Sequence, residues 1–373
     1  MIIVWLIAGF LSVCYAGLIT WIYKGWRQAN ESTVIPTVSF PGVSILIPVR
    51  NEENFIGQCI ASILKCDYPK DKYEIIVIDD HSTDHTAEIV KSIPSTNLRF
   101  IRLASGLTGK KNAISTGIHS AMYDIILCTD GDSRVGSGWI ASHSSLIVQG
   151  KNIRTGYVLP EAGDRLIEHF QWLDFAAAMA ITANGIVRQK YFLANGANLC
   201  YSRHMFDCVG GFAGNETIAS GDDIFLIKKM SKDDPHNTGF LADRAAIVTT
   251  KAESSWKALM HQRKRWAGKS LNSQDIGLKI VQVFIFTFVL VTFVSFLLMW
   301  IRWEQFGISF FILFFSKLVV DYIFLRKLTI YFNRTDVMRS YFACFLIYYV
   351  HILMSGFHAL FPTAYQWKGR KSR

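Results

Sequence analysis

The chain alternates between long apolar stretches and a mixed polar and apolar central region. Four stretches are long and apolar enough to predict membrane-spanning helices. They are Ile2–Tyr23, Ile280–Trp300, Phe306–Leu325 and Tyr341–Phe361. From Pro36 to about Asn272 the pattern is that of an ordinary globular domain. The sequence therefore predicts a folded domain with spanning helices before and after it.

Within the central region, short apolar runs alternate with helical patterns. Such runs are typical of parallel strands that are buried on both faces. The predicted strands are Val43–Ile47, Glu74–Ile78, Arg99–Leu103 and Ile125–Thr129, and helical spacing predicts helices at Asn54–Leu64 and Thr86–Ile93. This alternation indicates a doubly wound α/β sheet, in which ligands bind beyond the carboxyl ends of the strands.

Composition favours a membrane protein and argues against nucleic acid as a partner. Hydrophobic residues make up 51% of the chain and charged residues 18%, against about 25% charged in a typical soluble domain. The net charge is +10, but the basic residues cluster beside the apolar stretches, where they serve as orientation signals and lipid contacts. No nucleic-acid-reading motif accompanies them. The seven cysteines show no CxxC spacing, which favours reduced core residues over a zinc site.

Charges near the apolar stretches predict an orientation. Lys24 and Arg27 follow the first stretch, so the positive-inside rule places the central domain in the cytosol. Four spans would return the basic tail to the outer side, against the same rule. Either the last stretch is re-entrant or interfacial, or the tail overrides the rule, and the sequence leaves both open.

Lys317 and Asp321 stand four residues apart inside the third apolar stretch. At that spacing they can pair on one face of a helix. Charges at such depth mark a functional site by default. An internally neutralised pair at a helix–helix contact is the equally weighted alternative.

The first two predicted strands end in polar motifs. Pro48 is expected to stop the first strand, and Asn51 and Glu52 to cap the helix that follows. The second strand ends in Asp79-Asp80, two carboxylates that can accept hydrogen bonds from a base or a ribose hydroxyl. A helix N-cap is the structural alternative for this segment, and Ser82 or Asp84 would already supply it.

Lys110 follows a glycine-containing loop that invites a phosphate-loop interpretation. The pattern fails, because Ala104 replaces its first glycine and Lys111 its hydroxyl residue. A lysine on a flexible glycine loop can nevertheless contact a diphosphate as a point charge.

Two further acidic motifs carry candidate chemistry. Asp130-Gly131-Asp132 ends the fourth predicted strand, and its two carboxylates can converge on a hard divalent cation. In isolation the tripeptide is also a common type I turn. Asp222-Asp223 precedes an apolar helical run, where carboxylates cap a helix or act as a general base.

The segment Gln262-Arg263-Lys264-Arg265-Trp266 lies shortly before the second apolar stretch. An arginine fork for phosphate and a tryptophan face for a sugar ring are the groups that a diphosphosugar site needs. A basic helix at the lipid headgroups is the alternative, and both can hold at once.

In this order the motifs resemble the family 2 glycosyltransferases with the GT-A fold, in their membrane-bound branch. The resemblance runs from Val43 to Trp266, and the ordered set is far more specific than each motif alone. It implies Asp223 as the catalytic base with Asp222 beside it, where relatives usually carry glutamate. It implies Asp132 and Asp130 as metal ligands for Mg²⁺ or Mn²⁺. Implied donor-binding residues are Pro48, Arg50, Glu52, Asp79, Asp80, Lys110, Asp130, Gln262, Arg265 and Trp266; implied acceptor-binding residues are Gly196, Ala197, Asn198 and Trp266.

The resemblance also implies an activity: inverting transfer of a sugar from a nucleotide-diphosphosugar, a UDP-sugar being expected first. Because the predicted spans are few, a lipid or lipid-linked glycan is favoured as the acceptor over a growing polymer. A processive polysaccharide synthase of the cellulose, chitin or hyaluronan kind remains an alternative, as does a non-catalytic nucleotide-binding membrane scaffold. The expected location is the plasma or inner membrane, with the catalytic domain facing the cytosol.

These expectations divide the chain into four parts. Residues 1–24 form an amino-terminal anchor and residues 36–275 the GT-A domain. Residues 278–363 supply two or three further transmembrane helices, and residues 364–373 form a basic tail.

Overall fold

The computed structural model describes residues 1–31, 40–148, 150–161, 163–215, 221–232, 234–263, 275–360, 365–367 and 370–372. The chain folds into two compact units. The helical unit comprises Met1–Arg27, Ala162–Tyr191 and Ala252–Thr363, and the sheet unit comprises Gln28–Glu161, Phe192–Lys251 and Ala364–Arg373. In this division, residues 163–191 and 252–263 lie in the helical unit.

The sheet unit is built from strands that alternate with helices. Its strands are β1 (Val43–Val49), β2 (Tyr73–Asp79), β3 (Leu98–Arg102), β4 (Ile125–Cys128), β5 (Ser133–Val135), β6 (Ile153–Gly156), β7 (Val158–Pro160), β8 (Leu199–Ser202), β9 (Thr238–Leu241) and β10 (Val248–Thr250), with a separate hairpin of β11 (Tyr365–Trp367) and β12 (Arg370–Ser372). Within the described residues, the main sheet has the order β3-β2-β1-β4-β8-β6-β9 and a smaller sheet the order β5-β10-β7. The predicted α/β fold is confirmed.

The first four strands lie parallel in the order β3-β2-β1-β4, and β8 runs antiparallel between β4 and β6. Every residue of β2 and of β4 is buried, as expected for strands covered on both faces. Consequently the carboxyl ends of β1, β2 and β4 and the amino end of β8 meet at one edge of the sheet.

Pro48 does not end the first strand. The pairing of β1 with β2 continues through Pro48 to Val49, whereas the pairing with β4 ends at Leu46. Proline removes one donor from a ladder, and here it lies where only one neighbouring strand still pairs. The expectation that Pro48 stops the ladder is therefore wrong.

Helices cover the sheet and connect its strands. In the sheet unit they are α2 (Ile56–Leu64), α3 (Thr86–Ser92), α4 (Lys110–Ser120), α5 (Trp139–Val148), α7 (Arg203–Cys208) and α8 (Asp222–Ser231). Helix α2 begins after Phe55 without a side-chain cap, so the predicted capping by Asn51 and Glu52 is wrong. Asn51 instead lies in the left-handed region, with φ 53°, and its side chain accepts a hydrogen bond from the Thr83 amide.

The helical unit contains α1 (Ile2–Glu31), α6 (Leu166–Arg188) and the helices Ile276–Leu298, Trp303–Tyr331 and Tyr341–Leu360. Among the described residues, four helical segments are long and apolar enough to cross a membrane: Ile2–Glu31, Ile276–Leu298, Trp303–Tyr331 and Thr335–His358. They match the four predicted stretches. Lys317 and Asp321 form an ion pair in the third segment.

Five of the seven cysteines lie in the core as predicted, whereas Cys14 is partly exposed. All are free thiols, and Cys59, Cys66, Cys128, Cys200 and Cys344 are buried. Cys208 is exposed and is therefore not a core residue.

Candidate active site

The loops after β1 and β2 are joined by hydrogen bonds at the carboxyl edge of the sheet. The Asn51 amide donates to Ser82 Oγ at 2.9 Å, and the Glu52 amide donates to Thr86 Oγ1 at 2.8 Å. These bonds hold the backbone of the first loop against the side chains that follow β2. Arg50 extends from the first loop and donates to the backbone carbonyl of Asp80, at 3.2 Å.

The two aspartates at the end of β2 have different environments. Asp79 is completely buried; it accepts a hydrogen bond from the Ser82 amide at 3.0 Å and pairs with Arg102 Nε at 3.3 Å. Those contacts give Asp79 a structural role and argue against its predicted contact with the donor. Asp80 accepts from the Gly109 amide at 3.0 Å. Its Oδ2 lies 3.8 Å from the Arg50 guanidinium.

Asp130-Gly131-Asp132 forms a turn immediately after β4, since the Ser133 amide donates to the Asp130 carbonyl at 3.1 Å. The alternative of a turn is therefore correct, and a turn does not exclude cation binding by the two carboxylates. Glu52 lies against this turn, because a Cβ placed on Gly131 would come within 3.2 Å of the Glu52 Cγ. Beneath the turn, burial raises the pKa of the Cys59 thiol, and the negative charges of Asp132, Asp130 and Glu52 raise it further. Three carboxylates thus act on one buried thiol.

Lys110, the first residue of α4, extends to the same turn. Its Nζ donates to Asp130 Oδ1 at 2.6 Å. Burial alone would lower the pKa of Lys110, but the charge of Asp130, with Asp222 and Asp223 also near, raises it above the ordinary lysine value. The lysine is therefore a permanent cation among these carboxylates.

Helix α8 begins with Asp222-Asp223, and Asp223 is fixed by backbone donors. Its Oδ2 accepts from the Gly196 amide at 3.0 Å and its Oδ1 from the Ile224 amide at 2.9 Å. Gly196 precedes β8 and lies beside Lys110 as well, since a Cβ there would come within 2.9 Å of the Lys110 Nζ. Asp222 is buried, with 7% of its surface exposed.

Asn198 does not fit its predicted contact with the acceptor. Its side chain is completely buried, and Oδ1 accepts from Trp139 Nε1 at 2.9 Å and from His143 Nε2 at 2.7 Å. Its Nδ2 donates to the carbonyls of Tyr157 and Ala246. Ala197 is also buried, at 3% exposed. Asn198 therefore fixes the segment that carries Gly196, a role that the sequence did not predict for it or for its partners in α5.

His143 gives this buried network a pH dependence. Burial lowers the pKa of His143 to about 3, so the folded state holds the imidazole neutral while the unfolded chain protonates it near the ordinary value of about 6.5. The contribution of His143 to the free energy of unfolding is fully present above about pH 6.5 and is lost as the pH falls from there towards 3. We expect the wild type to lose about 2 kcal/mol of unfolding free energy from this group between pH 7 and pH 5.

The matched variant is His143→Gln, because a glutamine amide can still donate to Asn198 but does not titrate. Thermal unfolding at pH 7 and pH 5 should show a smaller fall in the midpoint for the variant than for the wild type. Equal falls would mean that His143 is not the titrating group.

In the helical unit, the start of the Gln262–Trp266 signature is attached to α6. Glu253 and Gln171 exchange hydrogen bonds through the Glu253 backbone, at 2.8 and 3.0 Å. Gln262 then donates to the Glu253 carboxylate at 3.1 Å. Arg263, with 7% of its side chain exposed, pairs with Asp174 of α6 at 2.5 Å. These α6 partners were not predicted from the sequence, and the predicted residues Arg265 and Trp266 lie outside the described residues.

The predicted metal ligands suit a hard divalent cation. Among the described residues, no group of three His, Cys, Asp or Glu side chains converges to hold a metal by itself. Magnesium-type sites at phosphate substrates commonly use one or two protein carboxylates, with phosphate oxygens and water completing the shell. Asp130 and Asp132 can supply two such carboxylates, of which Asp130 pairs with the Lys110 ammonium at 2.6 Å.

The amino-acid sequence around this sheet edge is similar to that of a known family. Residues 44–210 match the family described as Glycosyl transferase family 2. That range includes the ends of β1, β2 and β4, with Asp80, Asp130 and Asp132, and the segment around Gly196. This central part of the chain is therefore similar to the family 2 glycosyltransferases.

Curated relatives show the same similarity. The chain is 27% identical over 255 residues to a probable glycosyltransferase, YdaM, of Bacillus subtilis (strain 168), covering 65% of this chain and 56% of that protein. It is 28% identical over 238 residues to a beta-monoglucosyldiacylglycerol synthase of Nostoc sp., covering 61% of this chain and 49% of that protein. The chain thus spans about half the length of these relatives.

A solved structure shares the fold. A mannosyltransferase, PcManGT, from Pyrobaculum calidifontis, determined in complex with GDP-Man and Mn²⁺, superposes with a TM-score of 0.59 at 15% sequence identity. The match covers 96% of this chain and 99% of that one. At this identity the likeness establishes the GT-A fold.

Proposed function

We propose that this protein is a membrane-embedded, inverting glycosyltransferase that moves a sugar from a nucleotide-diphosphosugar to a lipid or lipid-linked acceptor. One observation carries the proposal: Asp223 and the Lys110–Asp130 pair flank Gly196 at the carboxyl edge of the sheet. The proposed base and the proposed cation-binding carboxylate thus lie close to one backbone position.

The donor half of the site lies along β1, β2 and β4. In the proposal, Asp80 and Arg50 contact the nucleoside, and Asp130 and Asp132 hold Mg²⁺ or Mn²⁺ at the diphosphate. The cation supplies charge neutralisation for the departing nucleoside diphosphate. Glu52 and Pro48 line the same edge, whereas Asp79 is assigned to the structure of the loop.

Asp223 performs the proton transfer in this proposal. Its carboxylate takes the proton from the acceptor hydroxyl, and the acceptor oxygen bonds to the anomeric carbon as the carbon–oxygen bond to the diphosphate breaks. The electron pair of that bond leaves with the nucleoside diphosphate, and the configuration at the anomeric carbon inverts. The Gly196 and Ile224 amides orient the carboxylate for this step, and the cationic Lys110 offsets the developing negative charge.

A membrane-borne acceptor is supported by the four apolar helices and by the relatives. The name of the Nostoc relative specifies a glucosylated diacylglycerol as its product. Lys24 and Arg27 at the end of the first span support a cytosolic catalytic face. Gln262, with Arg265 and Trp266, remains a proposed donor contact and Trp266 a proposed acceptor contact.

A donor and acceptor screen tests this function. The full chain in detergent or proteoliposomes would be incubated with Mn²⁺, radiolabelled UDP-sugars or GDP-mannose, and diacylglycerol or a polyprenyl phosphate. We expect one donor to give a singly glycosylated, organic-soluble product together with released nucleoside diphosphate, because the few spans suit one-step transfer.

Two other outcomes would overturn the proposal in different ways. Long polymer that stays in the aqueous phase would identify a processive synthase. Absence of nucleotide release with every donor would instead support a nucleotide-binding scaffold.

A further inference from the structure

The Gly109-Lys110 dipeptide contacts two of the carboxylates that the proposed donor site needs. The Gly109 amide donates to Asp80 Oδ2 at 3.0 Å, and Lys110 Nζ donates to Asp130 Oδ1 at 2.6 Å. The first contact uses the backbone and the second uses only the end of a side chain. The backbone at the start of α4 is therefore fixed, whereas the ammonium group can move.

The ammonium lies among carboxylates from separate segments of the chain. It pairs with Asp130 after β4, and Asp222 and Asp223 at the start of α8 act on it electrostatically. On another side it borders Gly196, where a Cβ would meet the Lys110 Nζ at 2.9 Å. A single positive charge faces three negative ones, so the surroundings retain an excess of negative charge.

A divalent cation bound to Asp130 competes with this lysine. One carboxylate oxygen at 2.6 Å from an ammonium cannot also bind a cation at about 2.1 Å without repulsion between the two charges. Lysine is a compact point charge on a flexible four-carbon stem, so its ammonium can leave Asp130 while α4 stays in place. A diphosphate arriving at the same edge supplies the negative charge to which it can transfer.

We propose that Lys110 is a placeholder cation: it occupies Asp130 in the donor-free enzyme and transfers to the donor diphosphate when the divalent cation takes Asp130. The inference rests on the proposed function for its diphosphate partner. The expected consequence is that binding of the cation and binding of the nucleotide diphosphate are coupled. Cation and nucleotide diphosphate each bind more tightly in the presence of the other, and the coupling free energy is reciprocal. Without nucleotide, the lysine keeps the cation affinity low.

The test measures binding of Mn²⁺ alone and of Mn²⁺ with UDP or GDP, on the full chain in detergent. Free Mn²⁺ can be followed by electron paramagnetic resonance. In Lys110→Met we expect the affinity for Mn²⁺ alone to rise about tenfold, since a competing charge-assisted hydrogen bond has been removed. The affinity for the nucleoside diphosphate in Mn²⁺ should fall by a similar factor, because its ammonium partner is gone.

Two further variants make the test specific. Lys111→Met removes the same charge from the neighbouring residue, whose ammonium donates to the Asn215 carbonyl, and should change Mn²⁺ affinity less than twofold. Gly196→Ala keeps the lysine but crowds its ammonium from the opposite side, and should raise the affinity for Mn²⁺ alone. An unchanged or weakened Mn²⁺ affinity in Lys110→Met would overturn the inference, whatever Gly196→Ala shows.

The nucleotide-free measurement separates this inference from the proposed function. Tighter Mn²⁺ binding by Lys110→Met supports the placeholder even when no sugar donor is turned over. Conversely, sugar transfer by the wild type with unaltered Mn²⁺ affinity in Lys110→Met refutes the placeholder and leaves the transferase function in place.

Discussion

Replacing Asp223 with asparagine is expected to lower kcat for sugar transfer by about a thousandfold while leaving donor affinity within about twofold, since general acid–base groups contribute about 10²–10⁴ in rate. Asparagine cannot take a proton from the acceptor hydroxyl. It keeps one oxygen for the Gly196 or Ile224 amide, so the start of α8 retains one of its two anchors. Nucleotide release with a saturating donor, together with donor titration, measures the two quantities separately.

The control for this substitution is Asp243→Asn. The Asp243 side chain also accepts a hydrogen bond from a backbone amide, that of Ala245 at 2.9 Å. The substitution removes a carboxylate that has no proposed part in the chemistry. Its kcat should stay near that of the wild type. Loss of donor binding in Asp223→Asn, in parallel with kcat, would assign Asp223 to the donor pocket and remove it as the base.

The sheet was predictable because its central strands have a strong local signature. Parallel strands buried on both faces read as continuous apolar runs, and Glu74–Ile78 and Ile125–Thr129 therefore located β2 and β4 closely. Helix α6 was not predictable in this way. Its place in the helical unit depends on partners far along the chain, such as Gln171 with Glu253, 82 residues apart.

In the candidate site, too, the roles of single residues depend on partners that are distant in the sequence. The types and order of the acidic motifs indicated a nucleotide-diphosphosugar site, but not the depth of each side chain. Asp79 lies opposite Arg102 in the β2–β3 register. This register gives Asp79 a structural partner, and it could not be read from the dipeptide Asp79-Asp80 itself. Likewise, the donors that bury Asn198 come from α5, 55 and 59 residues away. The kind of chemistry could therefore be predicted from the sequence. Which polar residues face a ligand and which hold the backbone could be seen only in the tertiary structure.

Asp321→Asn is expected to lower the unfolding free energy of the helical unit by roughly 3–5 kcal/mol, the usual cost of leaving one member of a buried ion pair without its partner. Lys317 is completely buried and pairs with Asp321 in the same helix. Tyr15 of α1 joins the pair: its hydroxyl accepts from Lys317 Nζ at 2.9 Å and donates to Asp321 Oδ1 at 2.6 Å. This arrangement favours an internally neutralised contact between two helices over a functional charge.

The double variant Lys317→Met/Asp321→Asn distinguishes these two roles. Removing both charges together should restore most of the thermal stability in detergent, because a buried pair replaced by uncharged residues of similar volume is often neutral for stability. Ser316→Ala is the matched control, since it removes an uncharged 2.9 Å hydrogen bond to Ser12 between the same two helices and should cost only about 1 kcal/mol. A double variant that is stable but inactive in sugar transfer would show that the charges themselves are required for function, whereas a stable and active one establishes that they serve to join α1 to the helix Trp303–Tyr331.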